Sequence, residues 1–370
     1  MKSLLLALFL SVSALAQPVV GPEVTSGPID QLDDYAIAPQ RDGFVLAWTA
    51  GGRLFAGHLD ESLHISAPPL SLPPFDGAAA AALPAIASNG TSVLVAWHER
   101  RAGYGETAYM ALLSADAQTL VKGPQLLNIT KDAPLAMSVN GRYVIYTGDL
   151  RYVFTENLDT VAGEFISRNL AGALTRSGDV GTVKASADAP FNCPRACFGR
   201  PCSTPFPDCV VTSTVSFTLG SAVTSGQYSF NVAANTTMAD PFLVRPPIIG
   251  PNGDSAAGVV QVQNATDFYF VGTPVRFTLP LTVLGETAVA GNGTDALLVW
   301  TAPSLTGAII HPDFTTSAPF PISRMGAQPK VVNISSTAFA VVYRLDLDSG
   351  NAAIAGRIVQ LQAAKRHGIR

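Results

Sequence analysis

Charge is scarce in this 370-residue chain, where Asp, Glu, Lys and Arg together make up 14%, against roughly 25% in an average soluble protein. Acidic residues outnumber basic ones 27 to 23, for a formal net charge of −4. Nucleic-acid binding needs a concentrated basic face to displace counterions from phosphates, so that class is excluded as a partner. The stretch Lys365 to Arg370 is notably basic and reads as a solvated tail. Long apolar runs are missing as well, and no segment reaches the roughly 20 residues a bilayer-spanning helix requires. Disorder is excluded, because apolar residues reach 48% and leave ample surface to bury.

The N-terminus has the three parts of a secretory signal peptide: Lys2, the apolar run Leu4 to Leu10, and Ser13-Ala14-Leu15-Ala16. Residues 1–16 are therefore expected to be removed before Gln17, leaving an exported protein, secreted or periplasmic and of bacterial origin, expected as a monomer. Cysteine is nearly absent. The four that occur, Cys193, Cys197, Cys202 and Cys209, fall in one short stretch. Their C-x3-C-x4-C-x6-C spacing lacks the paired C-x2-C knuckles of structural zinc sites, and no histidine lies near. In an exported chain this reads as two disulfides stapling one loop, with three connectivities open.

What is present is a repeat. Ala85 to Trp97 (AIASNGTSVLVAW) and Ala288 to Trp300 (AVAGNGTDALLVW) each give a short apolar strand, an Asn-Gly turn and a longer apolar strand ending in Trp. Asn-Gly between apolar runs marks a hairpin, since a type I′ turn needs positive φ at both central residues. Weaker copies turn at Asp42-Gly43, Asn140-Gly141, Ser177-Gly178, Asn252-Gly253 and Ser335-Ser336. Successive turns are 47, 51, 37, 75, 40 and 43 residues apart, and the long step holds the cysteines. Propeller blades of four strands repeat at roughly 40 to 45 residues, so a Cys-rich insertion at about 187–210 into a blade of ordinary length accounts for the exception. The second strand of each copy is apolar without alternation, as burial on both faces demands.

These observations predict an all-β chain over residues 17–364 forming a single β-propeller of about seven four-stranded blades, with six as the alternative count. Pro18 to Val24 resembles the fourth strand of the second copy, Leu120 to Leu126, while the last copy stops at its third strand, Ala352 to Leu361. The N-terminal strand is thus expected to complete the last blade and close the ring. The repeat, roughly P-x-hA-x-[ND]-G-x-x-hhhhW with h apolar, resembles those of secreted bacterial propellers of unknown function. That resemblance implies fold and export, and no catalytic residues.

Catalytic signatures are lacking. Gly253-Asp254-Ser255 is in register with the hairpin turns and is followed by Ala256-Ala257, unlike the nucleophile segment of trypsin-like proteases. Gly103-x-Gly105 precedes a strand, not the helix a dinucleotide fingerprint needs. His98-Glu99 starts a zinc-protease motif that fails at Ala102, and no G-x-S-x-G elbow occurs. Asp346 and Asp348 begin like a calcium loop, but Arg357 stands where the distal acid belongs; no cofactor is expected, with calcium at these two residues the weak alternative.

The loops between second and third strands hold much of the reactive polarity: His98, Glu99, Arg100, Arg101 and Tyr104, then Asp149 and Arg151, then Arg344, Asp346 and Asp348. In a propeller these loops emerge on one face, around the channel mouth. Binding residues concentrate on loops held by rigid scaffolds. The expected function is a non-catalytic binding module for a glycan, peptide or protein. The alternative is a polysaccharide hydrolase or lyase using Glu99, Asp149 or Asp346 as acid and base.

Overall fold

The computed structural model describes residues 17–362, except 76–79, 102–104, 129, 131–132, 148–149, 166–170, 189–209, 232–246, 263–264, 274–275, 281–282, 284, 302 and 348–349. Among the described residues there is no α-helix, and no helix is long and apolar enough to cross a membrane. After two short strands, β1 (Val19–Val20) and β2 (Val24–Thr25), the first sheet is β3 (Leu32–Gln40), β4 (Gly43–Ala50), β5 (Arg53–Leu59) and β6 (Leu70–Leu72). The second is β7 (Ala80–Ser88), β8 (Ser92–Arg101), β9 (Gly105–Ser114) and β10 (Leu120–Asn128). The third is β11 (Leu135–Val139), β12 (Arg142–Thr147), β13 (Leu150–Phe154) and β14 (Thr160–Phe165). The fourth is β15 (Ala171–Leu174), β16 (Val180–Asp188), β17 (Val210–Leu219) and β18 (Ala222–Asn231). Each is an antiparallel meander.

A larger sheet follows. Its first half is β19 (Ile248–Asn252), β20 (Ser255–Val262), β21 (Ala265–Phe270) and β22 (Arg276–Thr278). Its second half is β23 (Thr287–Gly291), β24 (Ala296–Trp300), β25 (Leu305–Ile310) and β26 (Phe320–Ser323). The final sheet holds β27 (Ala327–Ser335), β28 (Ala338–Asp346) and β29 (Ala352–Gln360). The first strand of each four-stranded unit packs on the first strand of the next, β3 to β7 to β11 and onward to β27, which returns to β3. The chain is a β-propeller. As expected, β1 and β2 both pair antiparallel with β29, Val19 opposite Gln360 and Val24 opposite Gly356.

The expected count of seven separate blades needs correction. Hydrogen bonding divides the described strands into six sheets, because the inner strands β19 and β23 pair in parallel at Asn252 and Gly291 and fuse two four-stranded halves into one eight-stranded sheet. Glycine makes that approach possible. A Cβ on Gly250 would lie 1.9 Å from the carbonyl oxygen of Val289, and one on Gly291 would lie 2.0 Å from Asn252 Oδ1.

Burial explains the continuous apolar second strands. In β4 every residue is buried. Val45 and Ala47 pack towards Val93, Val95 and Trp97 of the second sheet, while Phe44, Leu46 and Trp48 pack with Ala340, Val342 and Ile354 of the last. Such two-sided burial is what a sheet standing between two others requires.

The turns depart in detail from expectation. Both central residues have positive φ at Asn140-Gly141 (50° and 77°), as a type I′ turn needs. At Asn89-Gly90 and Asn292-Gly293 only the glycine does. There the asparagine builds the turn with its side chain: Asn89 Oδ1 accepts from the backbone N–H of Thr91 (2.9 Å) and Ser92 (2.8 Å), and Asn292 Oδ1 from Thr294 (2.8 Å) and Asp295 (2.7 Å). The amide nitrogen then reaches the next unit, Asn89 Nδ2 donating to the Gly141 carbonyl (3.4 Å) and Asn292 Nδ2 to that of Ser336 (2.7 Å).

A second recurrent turn joins third to fourth strands. Leu63, Ala117, Leu158 and Phe314 hold positive φ between 55° and 70° in these turns, and the first three are no more than 6% exposed. A left-handed non-glycine residue costs about 1–2 kcal/mol, whereas deleting a buried Leu side chain costs about 2–5 kcal/mol. Burial wins. Leu158→Gly is accordingly expected to lower stability by about 1–3 kcal/mol despite relieving the backbone, read as a lower urea midpoint; a raised midpoint would reverse the ranking of the two effects.

Candidate functional site

Inner strands begin, and second strands end, on one face of the ring; the Asn-Gly turns lie on the other. At the starts of the inner strands, a cavity of about 500 Å³ opens between the first, second, large and last sheets. Its walls carry Asp33 and Asp34 at the start of β3, Glu286 and Thr287 at the start of β23, and Gln328 and Lys330 in β27. Thr49, Ala82, Leu83 and Pro329 complete it.

Local irregularity turns these residues into the opening. Pairing slips by a residue between Leu32 and Asp34, and again between Ala82 and Ala85 and between Ala327 and Lys330. Such bulges bend a strand and re-aim its side chains. Two of them share a device: Leu83 (φ 49°) and Gln328 (φ 50°) each precede a proline, Pro84 and Pro329. Proline is accommodated in a strand at bulges, where no ladder hydrogen bond is needed from its nitrogen.

The lining is acidic on balance. Lys330 Nζ lies 3.6 Å from Asp34 Oδ1 and 5.8 Å above the centre of the Tyr35 ring. Asp34 Oδ1 also accepts from the Tyr35 backbone N–H (2.8 Å), and Glu286 Oε2 accepts from that of Gln328 (2.5 Å). With Lys330 engaged by Asp34, neither Asp33 nor Glu286 forms an ion pair among the described residues. Beneath the cavity floor the Tyr35 hydroxyl contacts the carbonyls of Gln328 and Val342. Burial, reinforced by Asp34 and Glu286, pushes its pKa well above the ordinary phenol value, so it remains a neutral structural donor.

None of the described residues singled out from sequence lines this cavity. His98 and Glu99 are buried at the end of β8, and Glu99 Oε1 accepts from the Phe75 backbone N–H (2.6 Å) and Trp97 Nε1 (3.0 Å). Arg100 forms a two-pronged exposed pair with Glu106 (2.7 and 3.2 Å). Arg151 donates to the Gly178 carbonyl and to Glu164, both at 2.9 Å. Arg344 holds Asp346 Oδ1 (2.7 Å) and the Leu32 carbonyl (2.7 Å). Tyr104, Asp149, Asp348, the Arg101 side chain and all four cysteines (Cys193, Cys197, Cys202, Cys209) lie outside the described residues. In sequence the cysteines fall between β16 and β17.

Asp33, Asp34 and Glu286 fall outside the sequence expectation, which placed the site on the loops after second strands. The signal available was position: Asp33 and Asp34 lie at the start of one inner strand and Glu286 immediately before another. On the opposite face His58 Nδ1 lies 2.9 Å from Ser66 Oγ and Nε2 lies 3.3 Å from Asp42. Ser66 Oγ also donates to the His58 carbonyl (3.1 Å), so this contact closes a hairpin and leaves the hydroxyl proton committed. No group of three or more His, Cys, Asp or Glu arranged to hold a metal occurs among the described residues.

No family model matches the sequence, and a search of curated proteins finds no significant match. Solved structures with similar folds include Kluyvelomyces marxianus Hsv2, 10% identical, covering 90% of this chain and 100% of that one with a TM-score of 0.46. The β-propeller domain of the Trilobed protease from Pyrococcus furiosus is 7% identical, with 91% and 99% covered and a TM-score of 0.47. Pyrococcus horikoshii acylaminoacyl peptidase is 12% identical, with 77% of this chain and 46% of that one covered and a TM-score of 0.44.

Proposed function

We propose that the protein is a non-catalytic binding module that takes its ligand at the cavity on the inner-strand face. The observation that carries this reading is the cavity itself: about 500 Å³, bordered by three carboxylates against one lysine. A cleft lined by one sign of charge focuses its field and concentrates ligands of the other sign. The ligand that fits is donor-rich and cationic, a basic peptide segment in preference to a neutral glycan. Thr49, Thr287 and Gln328 add neutral hydrogen-bonding groups that fix orientation.

Titration calorimetry with hexalysine, hexaglutamate and a neutral oligosaccharide tests this reading. Binding is expected for hexalysine alone and should weaken with added salt. The double substitution Asp33→Asn with Glu286→Gln should lower affinity by about tenfold or more, since each lost charge-assisted contact is worth about 1.5–3 kcal/mol. Equal affinity of the variant would remove the cavity from consideration. Cleavage of the oligosaccharide would replace the binding reading with the hydrolase one.

A further inference from the structure

Asn-Gly steps are chemically labile where the side chain is free to move, because the glycine nitrogen meets no Cβ on its approach to the asparagine Cγ. The chain has four, at Asn89, Asn140, Asn252 and Asn292, and the fold treats them unequally. Asn89 and Asn292 have both amide atoms engaged, the oxygen by their own turn and the nitrogen by the next unit. Asn252 is 5% exposed, and its Oδ1 accepts from Gly293 N–H at 2.9 Å. Asn140 stands exposed at the tip of the β11–β12 hairpin, and its side chain has no hydrogen-bond partner among the described residues.

We propose that Asn140 is a site of spontaneous deamidation, a slow covalent modification confined by the fold to this one of its four Asn-Gly steps. The Gly141 backbone nitrogen attacks Asn140 Cγ. A C–N bond forms to close a five-membered succinimide, the C–N bond to the side-chain amide breaks, and ammonia leaves with the displaced proton. Water then opens the ring at either carbonyl, giving aspartate or isoaspartate, with no oxidant or reductant involved. The product adds a negative charge at the turn, and isoaspartate lengthens the backbone beside the carbonyl that Asn89 Nδ2 grips. Releasing Asn89 or Asn292 would first break two or more hydrogen bonds, and releasing Asn252 would break one and disturb a buried site, so Asn140 should react about tenfold faster or more.

The test is incubation of the full-length protein at mildly alkaline pH, followed by peptide mapping for the amide-to-acid mass change and by enzymatic isoaspartate labelling. Conversion is expected in the tryptic peptide ending at Arg142, and it should vanish in Asn140→Gln. The same incubation in denaturant should bring all four sites to similar rates. Equal rates in the folded protein, or faster conversion at Asn89, Asn252 or Asn292, would overturn the proposal. So would conversion of Asn140 in denaturant with none in the folded state.

Discussion

Gly250→Ala is expected to destabilise the protein by about 3 kcal/mol, the upper range for a methyl group forced into a packed interior. The added Cβ would lie 1.9 Å from the Val289 carbonyl oxygen and 2.9 Å from its carbon, and a main-chain group in the adjoining inner strand cannot swing aside as a side chain can. The only relief is to move β19 away from β23, which breaks the parallel pairing of Asn252 with Gly291. Gly291→Ala should cost less, because the nearest obstacle is the Asn252 side-chain oxygen at 2.0 Å, with main chain only at the Asp295 carbonyl oxygen, 2.9 Å away. The pair should cost less than the sum, because a seam opened by one substitution no longer clashes with the other. Gly123→Ala in β10 meets nothing within 4 Å and should stay within about 0.5 kcal/mol. Urea midpoints for the four variants decide the matter. Additive losses, or a wild-type midpoint for Gly250→Ala, would mean the seam is looser than described.

The second large effect lies where the N-terminal segment joins the ring. Glu23, between β1 and β2, accepts hydrogen bonds from the hydroxyls of Tyr343 and Ser323 (2.8 Å to the latter) and lies 3.7 Å from Arg357 Nε. Partial burial raises its pKa, but the two hydroxyls and Arg357 outweigh that and hold it below the ordinary carboxylate value. Burial, with the bond to Glu23, pushes the Tyr343 hydroxyl up to about 12. Glu23→Ala strands a buried hydroxyl and should cost about 2–3 kcal/mol at neutral pH. The sign of the pH dependence follows from linkage. A depressed carboxylate contributes stability that is present above its unfolded pKa of roughly 4.3 and is lost as pH falls through the lower folded value. The gap between wild type and Glu23→Ala should therefore be widest from pH 5 upward, roughly, and close in acid. Tyr343 acts in the other direction: its contribution is complete below the unfolded phenol value and disappears as pH rises towards 12. A gap independent of acid pH would exclude the carboxylate as the source.

The strands, the ring and its closure by the N-terminal segment were legible in the sequence because each rests on a local pattern. Asn-Gly between apolar runs located the hairpins, and uninterrupted apolar second strands announced two-sided burial. The sheet count was not legible, since it depends on whether two inner strands come close enough to pair. That is decided by the absence of side chains at Gly250 and Gly291, which lie within ordinary strand sequence. Turns such as those carrying Leu63 and Leu158 were equally hidden: leucine at positive φ contradicts local preference and is sustained only by the core it enters. The cavity acids escaped notice for a related reason. Asp33, Asp34 and Glu286 are unremarkable in sequence until bulges and the ring bring them together, whereas conspicuous residues such as Glu99 serve to hold the backbone of a neighbouring segment.

The asparagine side chains that reach across from Asn89 to Gly141 and from Asn292 to Ser336 all point the same way along the chain. At these two junctions a repeat is fastened to its successor by the same residue that shapes its own turn. Losing either asparagine should therefore loosen one hairpin and one junction together, and leave the remaining junctions to the packing of their inner strands.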